Sequence, residues 1–237
     1  MAGGAFEFTQ TFFLSFSFWL AVWSFRGDAG GRFVLGLVLG AIFSRCGWAL
    51  LHFRVWLQAP LSLWGETGGF TVLALPLGPW LMSLTFPSAA QSVLWRANAV
   101  RALLPALALA RGGCWWMGCC GGEPFLAGYS HPVAAYEMIG WGILWVVLKR
   151  VPDVLASGVF FVGFGAIRWF LHPFRSVPSL GPPEVEITTL ALGWVAWGVL
   201  SLLWGVRQTY LTKERVARAR RSSGSYEDGS GEASRLR

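Results

Sequence analysis

Seven apolar stretches, each about as long as a bilayer is thick, constrain this chain more than any other feature. They cover roughly residues 8–25, 33–53, 70–86, 98–117, 133–148, 154–171 and 187–206. A helix crosses the hydrocarbon core with about 20 largely apolar residues, within a range of about 17–25. Charged residues make up 13% of the chain and hydrophobic ones 54%, whereas a soluble domain carries roughly 25% charge. With 15 Trp and 18 Phe besides, a soluble enzyme, a disordered protein and a free nucleic-acid binder are excluded. The predicted fold is an all-α integral membrane protein with about seven transmembrane helices. No repeat of 20–50 residues and no heptad runs through it.

The net charge of +7 would suggest nucleic acid in a soluble chain, but much of it lies beyond Val206. There Arg207, Lys213, Arg215, Arg218, Arg220, Arg221, Arg235 and Arg237 face Glu214, Glu227, Asp228 and Glu232. Basic residues are retained on the cytoplasmic side, so residues 1–206 read as a polytopic membrane domain and 207–237 as a basic cytoplasmic tail. This tail, polar and Gly/Ser-rich after Thr212 without apolar period, is expected to be disordered; its basic half suits anionic lipid. Counting back through seven spans leaves Arg26, Arg32, Arg96, Lys149 and Arg150 inside and puts the N-terminus outside. Arg54, Arg111, Arg168 and Arg175 fall on the outer side, where topology gives no reason for them. The N-terminal residues lack a basic n-region, so no cleaved signal peptide is expected.

Residues 110–137 concentrate the chemistry. Arg111 ends an apolar stretch and is followed by glycines at 112, 113, 118, 121 and 122, which predict a re-entrant motif near 111–122. Non-helical backbone at membrane depth survives only where it lines a cavity or is buried in protein. An ionisable residue there is a functional-site hypothesis by default. Further on, Arg168, His172 and Arg175 would share one helix face, although Pro173 can kink it. Two or three guanidiniums beside a Gly-rich stretch in the outer leaflet make an anion site. The abundant anion at that depth is a lipid phosphate, which Arg grips in bidentate fashion.

Blander readings stand beside these. Arg111 and Arg54 could snorkel toward headgroups, and the glycines could serve close helix packing. Trp115 and Trp116 fit an aromatic belt, and His52 an interfacial position. Arg101 reads as a cytoplasmic-end or packing residue. The cysteines Cys46, Cys114, Cys119 and Cys120 are too few for a disulfide scaffold. Cys114, Cys119 and Cys120 also lack the paired C-x2-C spacing of structural zinc, so no metal is expected. The case for a site rests on Arg111, His131, Tyr136, Glu137, Arg168 and Arg175 all falling on one side.

Taken together, these residues resemble the prolipoprotein diacylglyceryl transferase family of the bacterial inner membrane. The central motif of that family is matched by Arg111, Gly113, Cys114, Gly118, Cys119, Cys120 and Gly122. Its His-Pro-x-x-x-Tyr-Glu is matched by His131, Pro132, Tyr136 and Glu137, and its late Arg-Phe-x-x-Glu-x-x-Arg by the segment from Arg168 to Arg175. An early glycine-rich span with Gly36 and Gly40 also fits, as does a seven-span topology with the N-terminus outside. Three departures stand out. Leu73 occupies the place of a family His, Cys114 and Cys119 replace Asn and Glu, and His172 replaces the Glu between the late arginines.

The resemblance implies transfer of a diacylglyceryl group from phosphatidylglycerol to the thiol of a lipobox cysteine in a prolipoprotein, with no cofactor. Arg111 and Arg168, supported by Arg175, would hold the phosphate, with Gly113 and Gly122 lining the phospholipid site. His172 or His131 would serve as general base, and Tyr136 and Glu137 would orient the headgroup or tune the imidazole. Expected partners are phosphatidylglycerol, the lipobox peptide and membrane lipids, with no nucleic acid. Two alternatives remain open. One is a related lipid- or acyl-transfer or thiol-redox enzyme using Cys119 and Cys120, whose thiolates an adjacent Arg would favour. The other is a non-enzymatic phospholipid-binding or transport protein.

Overall fold

A computed structural model describes residues 2–25, 29–51, 57, 74–118, 122–124, 129–175 and 184–230. Among them the chain forms seven α-helices and no strand. These are α1 (Ala2–Ser24), α2 (Gly30–Leu51), α3 (Leu77–Ser83), α4 (Ala89–Met117), α5 (Val133–Leu148), α6 (Asp153–Leu171) and α7 (Glu184–Ser230). Four described segments are long and apolar enough to cross a membrane: Gly30–Gly47, Ala89–Met117, Asp153–Phe174 and Thr188–Thr212. Phe12–Ser24 and Val133–Leu148 are shorter apolar helices. The chain is thus a helical membrane protein. Of the third expected span only a seven-residue helix, α3, lies among the described residues, and residues 70–73 fall outside them.

Helix ends follow local chemistry. The Ser88 hydroxyl accepts a hydrogen bond from the Gln91 amide at 3.2 Å, an N-cap that starts α4. This places its beginning nine residues before Asn98, the expected start. Arg101 does not interrupt the helix because its guanidinium is spent on a neighbouring turn. Its Nε donates to the Leu148 carbonyl at 3.0 Å, its Nη2 to the Val151 carbonyl at 2.7 Å, and its Nη1 to Asp153 at 2.5 Å. The last carbonyl of α5, at Leu148, which has no intrahelical partner, is thereby satisfied by α4, while those of Trp145 and Val147 take the Lys149 and Arg150 amides.

At its other end α4 continues through residues 111–117, so the first half of the expected re-entrant motif is helix. Gly118 stops it in the left-handed conformation, φ 64°, with its amide donating to the Trp115 carbonyl. Cys119, Cys120 and Gly121 lie outside the described residues. A second difference is at the C-terminus. Residues 207–230, expected to be disordered, continue α7 as helix, in keeping with the helix-forming Ala, Arg, Lys and Glu of that segment.

Packing is close where side chains are small, the usual basis of helix association in lipid. A Cβ added to Gly198 of α7 would lie 2.5 Å from the Val162 nitrogen and 2.8 Å from the Gly158 oxygen of α6. Beyond this seam rings fill the interior. Trp141 stacks on Phe164 at 5.1 Å and Phe161 on Trp194 at 4.9 Å, joining α5, α6 and α7. A second aromatic group, Phe25, Phe33 and Trp95, holds α1, α2 and α4 together. Ring and backbone packing of this density fixes where α4, α5 and α6 present their polar residues.

Candidate functional site

Glu137 lies in the second turn of α5 and is completely buried. A carboxylate in that position needs compensating charge, and three arginines from separate segments supply it. Oε1 accepts from Nη1 of Arg168, on α6, at 2.5 Å, and from Nη2 of Arg175, beyond the end of that helix. Nε of Arg111, in the penultimate turn of α4, stands 2.7 Å from Oε2 as an ion pair. The side chains of Arg168, Arg111 and Arg175 are 8, 15 and 28% exposed, so accessibility rises from the helix interior toward the loop. Three guanidiniums and one carboxylate leave two positive charges in excess. Such a cluster attracts an anion and supplies planar, bidentate donors for phosphate oxygens.

Arg175 arrives by a route the sequence spacing did not suggest. Helix α6 ends at Leu171, and Pro173 sits in the short 3-10 turn His172–Phe174. Arg168 and Arg175 therefore do not share a continuous helix face. Arg175 is extended, φ −91° and ψ 131°, and its backbone pairs with Gly122 in an antiparallel bridge. The Glu123 amide donates to the Phe174 carbonyl at 2.9 Å, and the His131 amide to the Glu123 carbonyl at 3.0 Å. Three segments thus cross at Gly122, where an added Cβ would collide with the Phe174 and His131 carbonyl oxygens and lie 2.7 Å from the His131 Cβ. Gly122 acts on the site through the backbone that aims Arg175.

The other expected site residues divide around this cluster. Gly113 is buried against α1, where an added Cβ would lie 2.6 Å from Cγ of Phe13; its place is helix packing, the reading left open above. The Cys114 sulfur is 3.9 Å from Nη1 of Arg111. His172 is buried at the C-terminus of α6, its amide bonded to the Trp169 carbonyl. His131 stands at the crossing, its ring 4.9 Å from Phe174 and 6.3 Å from Tyr136. Tyr136 is next to Glu137 in sequence but faces outward and is 38% exposed. Leu73, at the position where the resemblance calls for a histidine, lies outside the described residues, as do His52 and Arg54.

Sequence reasoning assigned Glu137 to the headgroup or the imidazole and missed its position at the centre of the arginines. One signal was available: it is the single acid in an apolar helix, and a carboxylate there demands a cation. Among the described residues no three His, Cys, Asp or Glu side chains come together as a metal site.

No family model matches the chain. It is 33% identical over 76 residues to a phosphatidylglycerol–prolipoprotein diacylglyceryl transferase of Psychrobacter arcticus, an alignment covering 30% of this chain and 24% of that protein. The chain is thus matched over about a quarter of that relative's length.

Proposed function

We propose that the protein is a multi-pass bacterial inner-membrane transferase that moves a diacylglyceryl group from phosphatidylglycerol to the thiol of a prolipoprotein lipobox cysteine. The observation that carries this reading is the surplus of two positive charges where Arg111, Arg168 and Arg175 meet around Glu137. The similarity to a transferase of that name supports it. In this reading seven spans place the N-terminus outside and the C-terminus in the cytoplasm, with the cluster in the outer leaflet.

The substrate thiol is the nucleophile. Its sulfur forms a bond to the glyceryl carbon as the bond from that carbon to the phosphate oxygen breaks, and the phosphate leaves as glycerol phosphate. The thiol proton goes to an imidazole, His131 or His172, on the segments that flank the Gly122 crossing. Arginines fixed before the reaction stabilise the charge that grows on the leaving oxygen without having to reorganise. Arg111 and Arg175, the more exposed members, reach the phosphate, and Arg168 contributes from beneath. Tyr136, at the rim, orients the headgroup.

A reading in which a protein thiol takes part draws on Cys114, whose sulfur lies against Arg111, and on the neighbouring Cys119 and Cys120. One experiment separates the two. Protein purified in detergent is given phosphatidylglycerol and a synthetic lipobox peptide, and the diacylglyceryl adduct and glycerol phosphate are followed by mass spectrometry. Adduct that is lost in Arg111→Ala and His172→Ala but kept in Cys114→Ser and Cys119→Ser supports the transferase. Adduct lost with either cysteine variant transfers the chemistry to the thiols. No adduct from folded wild type that still binds the lipid removes this acceptor.

A further inference from the structure

The proposed reaction, on which this inference rests, changes the charge of the phosphorus group inside the site. The donor lipid is a phosphodiester with one negative charge. The departing glycerol phosphate is a monoester, with a second pKa near 6 and therefore close to two negative charges above neutrality. A cluster of three bare guanidiniums would hold the dianion far more tightly than the monoanion, and would be slow to clear its own product. Glu137 stands inside that cluster, fully buried, with Arg168 and Arg175 on one oxygen and Arg111 beside the other.

We infer that Glu137 is a charge-setting residue: by cancelling one of the three arginine charges it trims the preference for phosphate monoesters over phosphodiesters, so that the site takes the diester and releases the monoester. The physical basis is the scaling of Coulomb energy with the charge of the ligand. One unit of site charge acting on one extra unit of phosphate charge changes the affinity ratio by about tenfold even at roughly 12 Å and an effective dielectric of 20. Packing alone cannot have this effect, because a purely structural carboxylate would raise or lower both affinities together.

The test compares two soluble probes, glycerol phosphate and glycerophosphoglycerol, the deacylated headgroup, with inorganic phosphate as the arm for free phosphate. Binding to the full chain in detergent at pH 8 is measured by calorimetry for wild type, Glu137→Gln and Arg175→Gln. Glu137→Gln raises the site charge and is expected to shift the ratio of affinities about tenfold toward the monoester. Arg175→Gln lowers the charge and shifts it the other way. The opposite signs keep the test decisive if one variant fails to fold. An unchanged ratio, with both probes still binding, overturns the role of Glu137 while leaving the anion site standing. Wild type that binds neither probe overturns the anion site itself. Tighter binding of inorganic phosphate than of either glyceryl probe also overturns the inference, since the site would then be one for free phosphate.

Discussion

Gly122 and Arg175 pair backbone to backbone in an antiparallel bridge, and this pairing, together with the helix break at Pro173, delivers the Arg175 guanidinium to Glu137. Replacing Gly122 with Val puts a branched side chain against the Phe174 and His131 carbonyls. The backbone has to part, and Arg175 leaves the carboxylate. The helices do not depend on this crossing, so Gly122→Val is expected to keep its circular dichroism spectrum and monodispersity while losing at least tenfold in affinity for phosphodiester probes. Unaltered affinity would show that Arg175 reaches the site without the bridge.

Removing the carboxylate altogether leaves three guanidiniums facing one another in the interior. Breaking a buried ionic group on one side costs about 3–5 kcal/mol. Glu137→Ala is therefore expected to melt well below wild type in detergent, and added phosphatidylglycerol or inorganic phosphate should restore part of the loss by supplying an anion. Differential scanning fluorimetry with and without anion measures both effects. A variant as stable as wild type would mean that the arginines are not held by Glu137.

Gly113 and Phe13 are expected to behave as a packing pair. Gly113→Leu overfills the contact between α1 and α4, at a cost of about 1–3 kcal/mol. Phe13→Ala makes room, so the double variant should recover stability beyond the sum of its parts. Thermal melts of the four proteins in this cycle provide the measurement. If Gly113 served lipid contact instead, Phe13→Ala would bring no recovery.

Arg101 belongs to the opposite end of α5 from Glu137. Its loss removes two hydrogen bonds to carbonyls and one ion pair to the half-exposed Asp153. The expected destabilisation is about 1–2 kcal/mol, most of it from the carbonyls, since the exposed pair contributes little. Anion affinity should be unchanged in Arg101→Ala. A drop in affinity as large as that of Gly122→Val would show that the two ends of the bundle are coupled.

Membrane class was legible from composition and apolar runs alone, and Arg111, Arg168 and Arg175 stood out because their predicted side of the membrane gave no reason for them. The detail that escaped sequence reasoning has physical causes. Helical spacing suggested that Arg168, His172 and Arg175 form one face, but Pro173 ends the helix, and the convergence is restored by a backbone crossing between Gly122 and Arg175, far apart in the chain. Arg101 read only as a cytoplasmic-end or packing residue because its acceptors, at Leu148, Val151 and Asp153, are distant in the chain. Gly113 and Gly122 look alike in a list of glycines. One is pressed against a ring and the other against two carbonyls, and only tertiary structure distinguishes them.

The length of α5 has a consequence for the lipid around it. Its 16 residues, Val133–Leu148, end at the turn clamped by Arg101, a span of about 24 Å at 1.5 Å per residue. Laid across a hydrocarbon core of about 30 Å, such a helix comes up about 6 Å short. Hydrophobic mismatch of this size is relieved by thinning the leaflet beside the helix. If α5 spans the membrane as in the proposed function, a dimple above Glu137 would lower the phosphate plane toward the arginines, so that the bilayer, by deforming, would bring the headgroup to the site.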